Sequence, residues 1–228
     1  YDGSYLYAAG KRWGFFPGAS IGWRISEEPF FKNLKGVVND LKIRVSIGQT
    51  GSESGVSMFG YMDGYNWNQG SAVLDGELVT GLNQRGLPIR NLSWVKNTSA
   101  NIGIDIALFD NRLTATFDAF KKSISGIPAG RYDVKLPSEV GYSLPNENLN
   151  KDAYVGAEGI VTWSDKIGEL NYTVSANATY SRYKMVSRYK PRYGNSWDQY
   201  RNSSEDRWGG VWWGYQVIGR FQSEDEIK

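Results

Sequence analysis

Three places in this chain set carboxylates side by side: Glu27 with Glu28, Glu205 with Asp206, and Glu224 with Asp225 and Glu226. Paired acids are the equipment of glycoside hydrolysis, where two carboxyl groups face one bond from about 5 to 10 Å apart. Adjacent residues on a strand point to opposite faces, so these acids do not converge in that way and are read as solvated turns and loops. His and Cys are both absent. Their absence removes Ser-His and Cys-His nucleophile pairs, imidazole and thiolate zinc sites, thiol redox chemistry and disulfides. Asp63-Gly64-Tyr65-Asn66 is too short for a calcium loop, and Gly48-Gln49-Thr50-Gly51 lacks the Gly-Lys-Ser/Thr ending of a phosphate-binding loop. No enzymatic activity, catalytic residue, metal site or cofactor is expected.

What remains is aromatic chemistry. The chain carries 9 Trp, 15 Tyr and 9 Phe. Tyr61, Tyr65 and Trp67 fall in one polar stretch, and Tyr193, Trp197, Tyr200, Trp208, Trp212 and Trp213 fall in or near another. Aromatic faces stack on the apolar faces of sugar rings, and Asn and Asp beside them bond hydroxyls, so these residues are the substrate-contacting candidates. The competing reading is that they pack the loops together or against a protein partner.

The elements that must carry these loops announce themselves by a period of two. Ile21, Trp23 and Ile25 alternate with Gly22, Arg24 and Ser26; Leu41, Ile43, Val45 and Ile47 with Lys42, Arg44, Ser46 and Gly48. Ile102, Ile104, Ile106 and Leu108 do the same, and Leu113 to Ala119 resumes the pattern after an Asp110-Asn111 turn. Leu170 to Ser181 is the cleanest case. Runs of about eleven alternating residues exceed the usual globular strand and match the roughly 9 to 11 needed to cross a bilayer at a tilt. The residues opposite the apolar set, among them Arg24, Arg44, Asn101, Asp105, Thr116, Asp118, Glu158 and Asn177, are expected on a wet face.

Short and long connections alternate. The chain turns quickly between Ile106 and Leu113 and through Ser164 to Gly168, whereas 51–91, 125–151 and 186–210 are long and polar. In an up-and-down barrel that parity puts the short turns on one side and the long loops on the other. Ser26 to Asp40 is the exception, read as one or two helical turns with Ser26 as N-cap and Phe30, Phe31, Leu34, Val37 and Val38 on an apolar side. Trp13, Phe15, Trp23, Trp94, Phe109, Trp163 and Tyr180 sit where strands would cross a membrane interface.

Composition agrees with this reading. With 26 Lys+Arg against 24 Asp+Glu the formal charge is +2, and the interleaved signs argue against nucleic acid as a partner. Mean hydropathy is −0.48. No apolar run approaches the roughly 18 to 20 residues of a membrane helix, and Tyr1 to Gly10 lack the basic and apolar regions of a signal peptide. Strands of a membrane barrel escape that test because they alternate.

The run Arg12-Trp13-Gly14-Phe15-Phe16-Pro17-Gly18-Ala19-Ser20-Ile21-Gly22-Trp23-Arg24-Ile25-Ser26-Glu27-Glu28 resembles the barrel of SusC/RagA-type TonB-linked outer-membrane transporters of Bacteroidetes. So do Leu41 to Gly51, Asn101 to Leu113, Gly141-Tyr142-Ser143 and, more weakly, Gly214 to Ser223, in the family's order. The resemblance implies an all-β chain, an antiparallel up-and-down transmembrane β-barrel segment of about 7 to 8 strands out of about 22. It also implies import of an oligosaccharide or peptide across the outer membrane. The expected partners are a SusD-like surface lipoprotein, outer-membrane lipid and the TonB complex. Residues 1–228 are then expected to be part of the barrel wall, with plug domain and signal peptide absent. The alternative is a soluble all-β carbohydrate-binding module with the loop tryptophans as its stacking platform.

Overall fold

The structure is a computed structural model that describes residues 1–226, and for 69–71 the backbone alone; positions 227 and 228, within the expected wall, lie outside the described residues. Its strands are β1 (Asp2–Gly3), β2 (Trp13–Gly14), β3 (Gly18–Arg24), β4 (Val38–Ser52), β5 (Tyr65–Leu74), β6 (Glu77–Gln84), β7 (Val95–Leu108), β8 (Leu113–Ala129), β9 (Glu147–Ile167), β10 (Leu170–Ser187) and β11 (Arg207–Trp208). One helix, α1 (Ser196–Asn202), lies between β10 and β11. Seven strands form one antiparallel sheet in the order β11-β10-β9-β8-β7-β4-β3, while β5 and β6 make a separate hairpin between β4 and β7. The wall is therefore an up-and-down meander, and the expected loop parity holds. β3–β4, β7–β8 and β9–β10 connect on one side; 53–94, 130–146 and 188–206 connect on the other, called outward here.

Residues paired across an antiparallel ladder share a face, so the register tests the alternation directly. Ile43 pairs with Ile104, Ile104 with Phe117, Phe117 with Gly159 and Gly159 with Ala178. The next row outward is Ile21, Val45, Ile102, Ala119, Ala157 and Tyr180. One apolar face thus runs unbroken across the sheet. It is bare: Ile21 is 74% exposed, Val174 64% and Ile102 52%. Among the described residues no second layer covers it, unlike the inner faces of a soluble sandwich. Of the few buried apolar residues, Tyr7, Phe31, Leu92 and Val95 lie in the connections and at strand ends.

The strands outrun the expected lengths. β9 has 21 residues and β8 has 17, so the loop between them is 130–146 rather than 125–151. Ser164 to Ile167, read as turn, belong to β9, and the turn is Gly168-Glu169 with Gly168 at φ 59°. Cross-strand hydroxyl pairs explain the extension. Thr162 meets Ser175 at 2.9 Å and Ser164 meets Thr173 at 3.0 Å, so the polar face stays paired almost to the turn while Trp163 with Val174 and Ile167 with Leu170 continue the apolar one.

The connection between β3 and β4 corrects another expectation. Two 3₁₀ turns, Ile25–Glu27 and Pro29–Leu34, supply the helical turns expected there, but the cap differs. Ser26 caps neither; it is fully buried and donates to the Asp40 carboxylate at 2.8 Å, which Arg24 also engages at 3.1 Å. Pro29 opens the second turn, and of the proposed apolar side only Phe31 is buried while Phe30, Leu34 and Val37 are exposed. The sheet stays open among the described residues. β3 has no outer neighbour, and β10 meets β11 only at Lys184 and Met185.

Candidate functional site

The polar face carries the residues expected to be wet, all eight of them on one side by register. Its centre is an ionic cluster that spans three strands. Arg44 on β4 donates to Asp105 on β7 at 3.0 and 3.3 Å and reaches over β7 to Asp118 on β8 at 2.7 Å. Thr116 completes the set by donating to Asp105 at 3.1 Å. Gly103 makes the crossing possible: a Cβ there would come within 2.5 Å of Asp118 Oδ1 and 2.7 Å of the Arg44 guanidinium carbon. Asp118 is 9% exposed and its Oδ1 has no hydrogen-bond partner among the described residues. Such a cluster ties three neighbouring strands of the wall together.

Outward of the wall, side chains tie the loops down. The Asn148 amide accepts from Ser93 N–H at 2.7 Å and donates to the carbonyls of Ser93 at 2.8 Å and Gly126 at 2.6 Å. Gly126, at φ 75°, sits at the register shift in β8, so Asn148 repairs the pairing that the bulge breaks. Trp94, expected at a membrane interface, instead packs on Tyr7 and Phe16 with ring centroids at 5.2 and 5.4 Å. A Cβ at Gly51 would strike both Phe16 and Trp94. Burial, with Glu53 adding to it, pushes the Tyr7 phenol up to about 12.

A second cluster joins the loops 130–146 and 188–206. Arg131 binds Asp133 through two bonds, Tyr189 donates to Asp133 at 3.0 Å, and the guanidinium lies 5.8 Å over the Tyr189 ring. The Arg131 bonds hold the Asp133 carboxyl well below the usual carboxylate range. Below it, Tyr183 donates to Asp152, and Arg188 pairs with the other oxygen of that carboxylate at 2.5 Å. Sequence reasoning missed these clusters and Asn148. Their partners are up to 58 residues apart in the chain, and no local pattern signals such pairs.

The candidate aromatics divide by environment. Tyr61 is half-buried beneath the Arg12 guanidinium at 5.9 Å. Trp208, also half-buried, lies under Arg182 at 4.8 Å and Lys184 at 5.5 Å. Trp197 stacks on Tyr200 at 5.7 Å, Tyr200 meets Trp213 edge-on at 5.1 Å, and Arg207 lies over both Tyr200 and Trp213. Tyr65 and Trp67 share one side of β5 and are exposed, as is Trp212; Tyr193 is half-buried. No recorded contact among the described residues joins the first aromatic set to the second. Tyr142 ties the 130–146 loop to the hairpin by donating to Gln84 at 2.6 Å.

No family model matches the chain. It is 30% identical over 189 residues to a TonB-dependent receptor of Formosa agariphila, covering 81% of this chain and 17% of that protein. It is 30% identical over 185 residues to the TonB-dependent receptor SusC of Bacteroides thetaiotaomicron, covering 78% and 18%. Among solved structures, the RagAB peptide importer in its closed-closed state matches with TM-score 0.67 at 20% identity, over 83% of this chain and 20% of that one. Bare apolar face, wet opposite face and loop parity define the class: an antiparallel up-and-down wall of the transmembrane β-barrel type. The family is that of the SusC/RagA-type TonB-linked receptors, of which this chain matches a stretch of the barrel. It spans under a fifth of the length of the curated relatives named here.

Proposed function

We propose that residues 1–228 are part of the wall and outward loops of a receptor that imports an oligosaccharide or a peptide across the outer membrane. The observation that carries this reading is the in-register apolar face left bare by the fold, which lipid would cover. The outward loops would then face the cell exterior and meet a SusD-like lipoprotein. TonB would act through a plug domain outside this stretch, and the wall's own task is passive: to hold lipid on one side and water on the other. In the loops, Trp197, Tyr200, Trp213 and Arg207 form one aromatic and cationic surface suited to stacking on a sugar ring or a peptide side chain. Tyr65, Trp67 and Trp212 present further bare rings, whereas Tyr61 and Trp208 brace their loops.

The test uses the full-length receptor with its lipoprotein and separate oligosaccharide and peptide pools. Trp197→Ala with Trp213→Ala should weaken binding of one pool about 10-fold or more while the detergent-resistant barrel is retained. Unchanged binding of both pools would remove this surface from the substrate path. The soluble binding module would require a chain that stays monomeric without detergent, and the bare apolar face speaks against it.

A further inference from the structure

The apolar face ends differently at its two rims. At the short-turn rim its charges are matched: Asp165, in the row of Tyr172, pairs with Arg112 at 3.5 Å. At the outward rim the row beyond Tyr180 reads Ile47, Ala100, Lys121, Val155 and Arg182. The two rows above it add Lys184, then Lys96 and Lys151, and none of the three rows contains an acid. Lys184 has a partner in Asp206 at 2.6 Å. Lys121, Arg182, Lys96 and Lys151 are exposed and make no ion pair among the described residues.

Below Lys121 and Arg182 lies a groove of about 700 Å³. Its sides include Ile104, Phe117 and Tyr180, and Ala119, Ala157 and Gly159 leave its floor low. A Cβ at Gly159 would meet the Phe117 ring at 2.7 Å, so the small residue there is what keeps ring and floor together. Lys121 on β8 and Arg182 on β10 are separated by one strand, so their backbones stand about 9.5 Å apart, within reach of one anion between two long side chains.

We infer that this outward rim binds the phosphate headgroup of an acylated lipid, with Lys121 and Arg182 on the phosphate and an acyl chain in the groove beneath. The inference rests on the proposal that the apolar face meets lipid. Charge complementarity selects the ligand: a surplus of cations with no acid in the three rows of that rim, set at the depth where an apolar band gives way to headgroups. A neutral lipid would leave those cations at the membrane surface without a counter-charge, and a free anion would leave the groove unused.

The experiment takes the full-length receptor in neutral detergent and adds a diphosphorylated acyl-disaccharide lipid, the same lipid without phosphates, or inorganic phosphate. Bound lipid is counted by native mass spectrometry. The phosphorylated lipid should be retained in preference to the dephosphorylated one, and millimolar inorganic phosphate should not displace it. Lys121→Ser with Arg182→Ser should weaken retention about 10- to 30-fold, while Lys121→Arg with Arg182→Lys keeps it. Equal retention by the neutral variant, equal retention of the dephosphorylated lipid, or displacement by inorganic phosphate would overturn the site. Heat-dependent gel mobility separates the two failures. A heat-shifting receptor with no phosphate preference overturns this inference alone, and a receptor that stays soluble without detergent overturns the lipid-facing proposal as well.

Discussion

The two faces of β7 are made of the same backbone and obey different rules. Ile102, Ile104 and Ile106 point one way into a surface with no specific partners, while Asp105 points the other way into a network with Arg44, Thr116 and Asp118 that passes over Gly103. The apolar face asks only for hydrocarbon. The polar face asks for particular groups at particular heights, because Arg44 can reach Asp118 only over a residue with no side chain. Parity therefore assigns the faces but not their tolerance: one should accept changes of shape and reject charge, and the other the reverse.

The most damaging way to break that contrast is a charge on the apolar side. Ile104→Arg or Val174→Arg should cost roughly 2 to 4 kcal/mol near a bilayer midplane and abolish assembly of the full-length receptor, whereas Ile104→Leu should assemble normally. Wild-type levels of both Arg variants in the membrane fraction would contradict the facing. On the other side, Arg44→Ala leaves Asp118 buried without its partner, at a cost of about 1 to 3 kcal/mol, read from the fall in the urea midpoint. Adding Asp118→Asn should return part of the loss, and an additive double mutant would mean that the pair is not coupled.

Smaller effects should come from the loops. Asn148→Ala removes its bonds to Ser93 and Gly126 and should cost about 1 to 2 kcal/mol, read locally as faster amide exchange around 93 and 126. The mildest prediction concerns pH. The Asp133 carboxyl is depressed by Arg131, so the bond it makes contributes above the ordinary carboxylate value of about 3.9 and is lost only as pH falls through the lower folded value. Exchange in 130–146, corrected for intrinsic rate, should then be flat from pH 8 to 5 and rise only below about pH 4. A rise between pH 7 and 5 would show that Asp133 is not held by this pair.

The same contrast explains what could be read from the chain alone. Period two identifies the strands because every residue on one face meets the same surroundings, and the register confirms it from Ile21 to Tyr180. Strand ends were not legible. Ser164 to Ile167 look like turn residues and pair because hydroxyls on the wet face satisfy one another. Ser26 reads as a helix cap from its neighbours, yet Asp40, 14 residues on, claims its hydroxyl. The loop aromatics were visible as types only. Whether a ring braces, as Tyr61 does under Arg12, or stays bare, as Trp212 does, depends on which distant residues the fold brings around it.

The central claim, that these strands line a membrane, is tested most directly on the native protein in its own cells. The outer membrane is fractionated, probed with an antibody to this segment, and run on a gel with and without boiling. A heat-shifting band in the outer membrane, well above 25.6 kDa, is the result predicted. A soluble band near that mass, unmoved by heating, would contradict it.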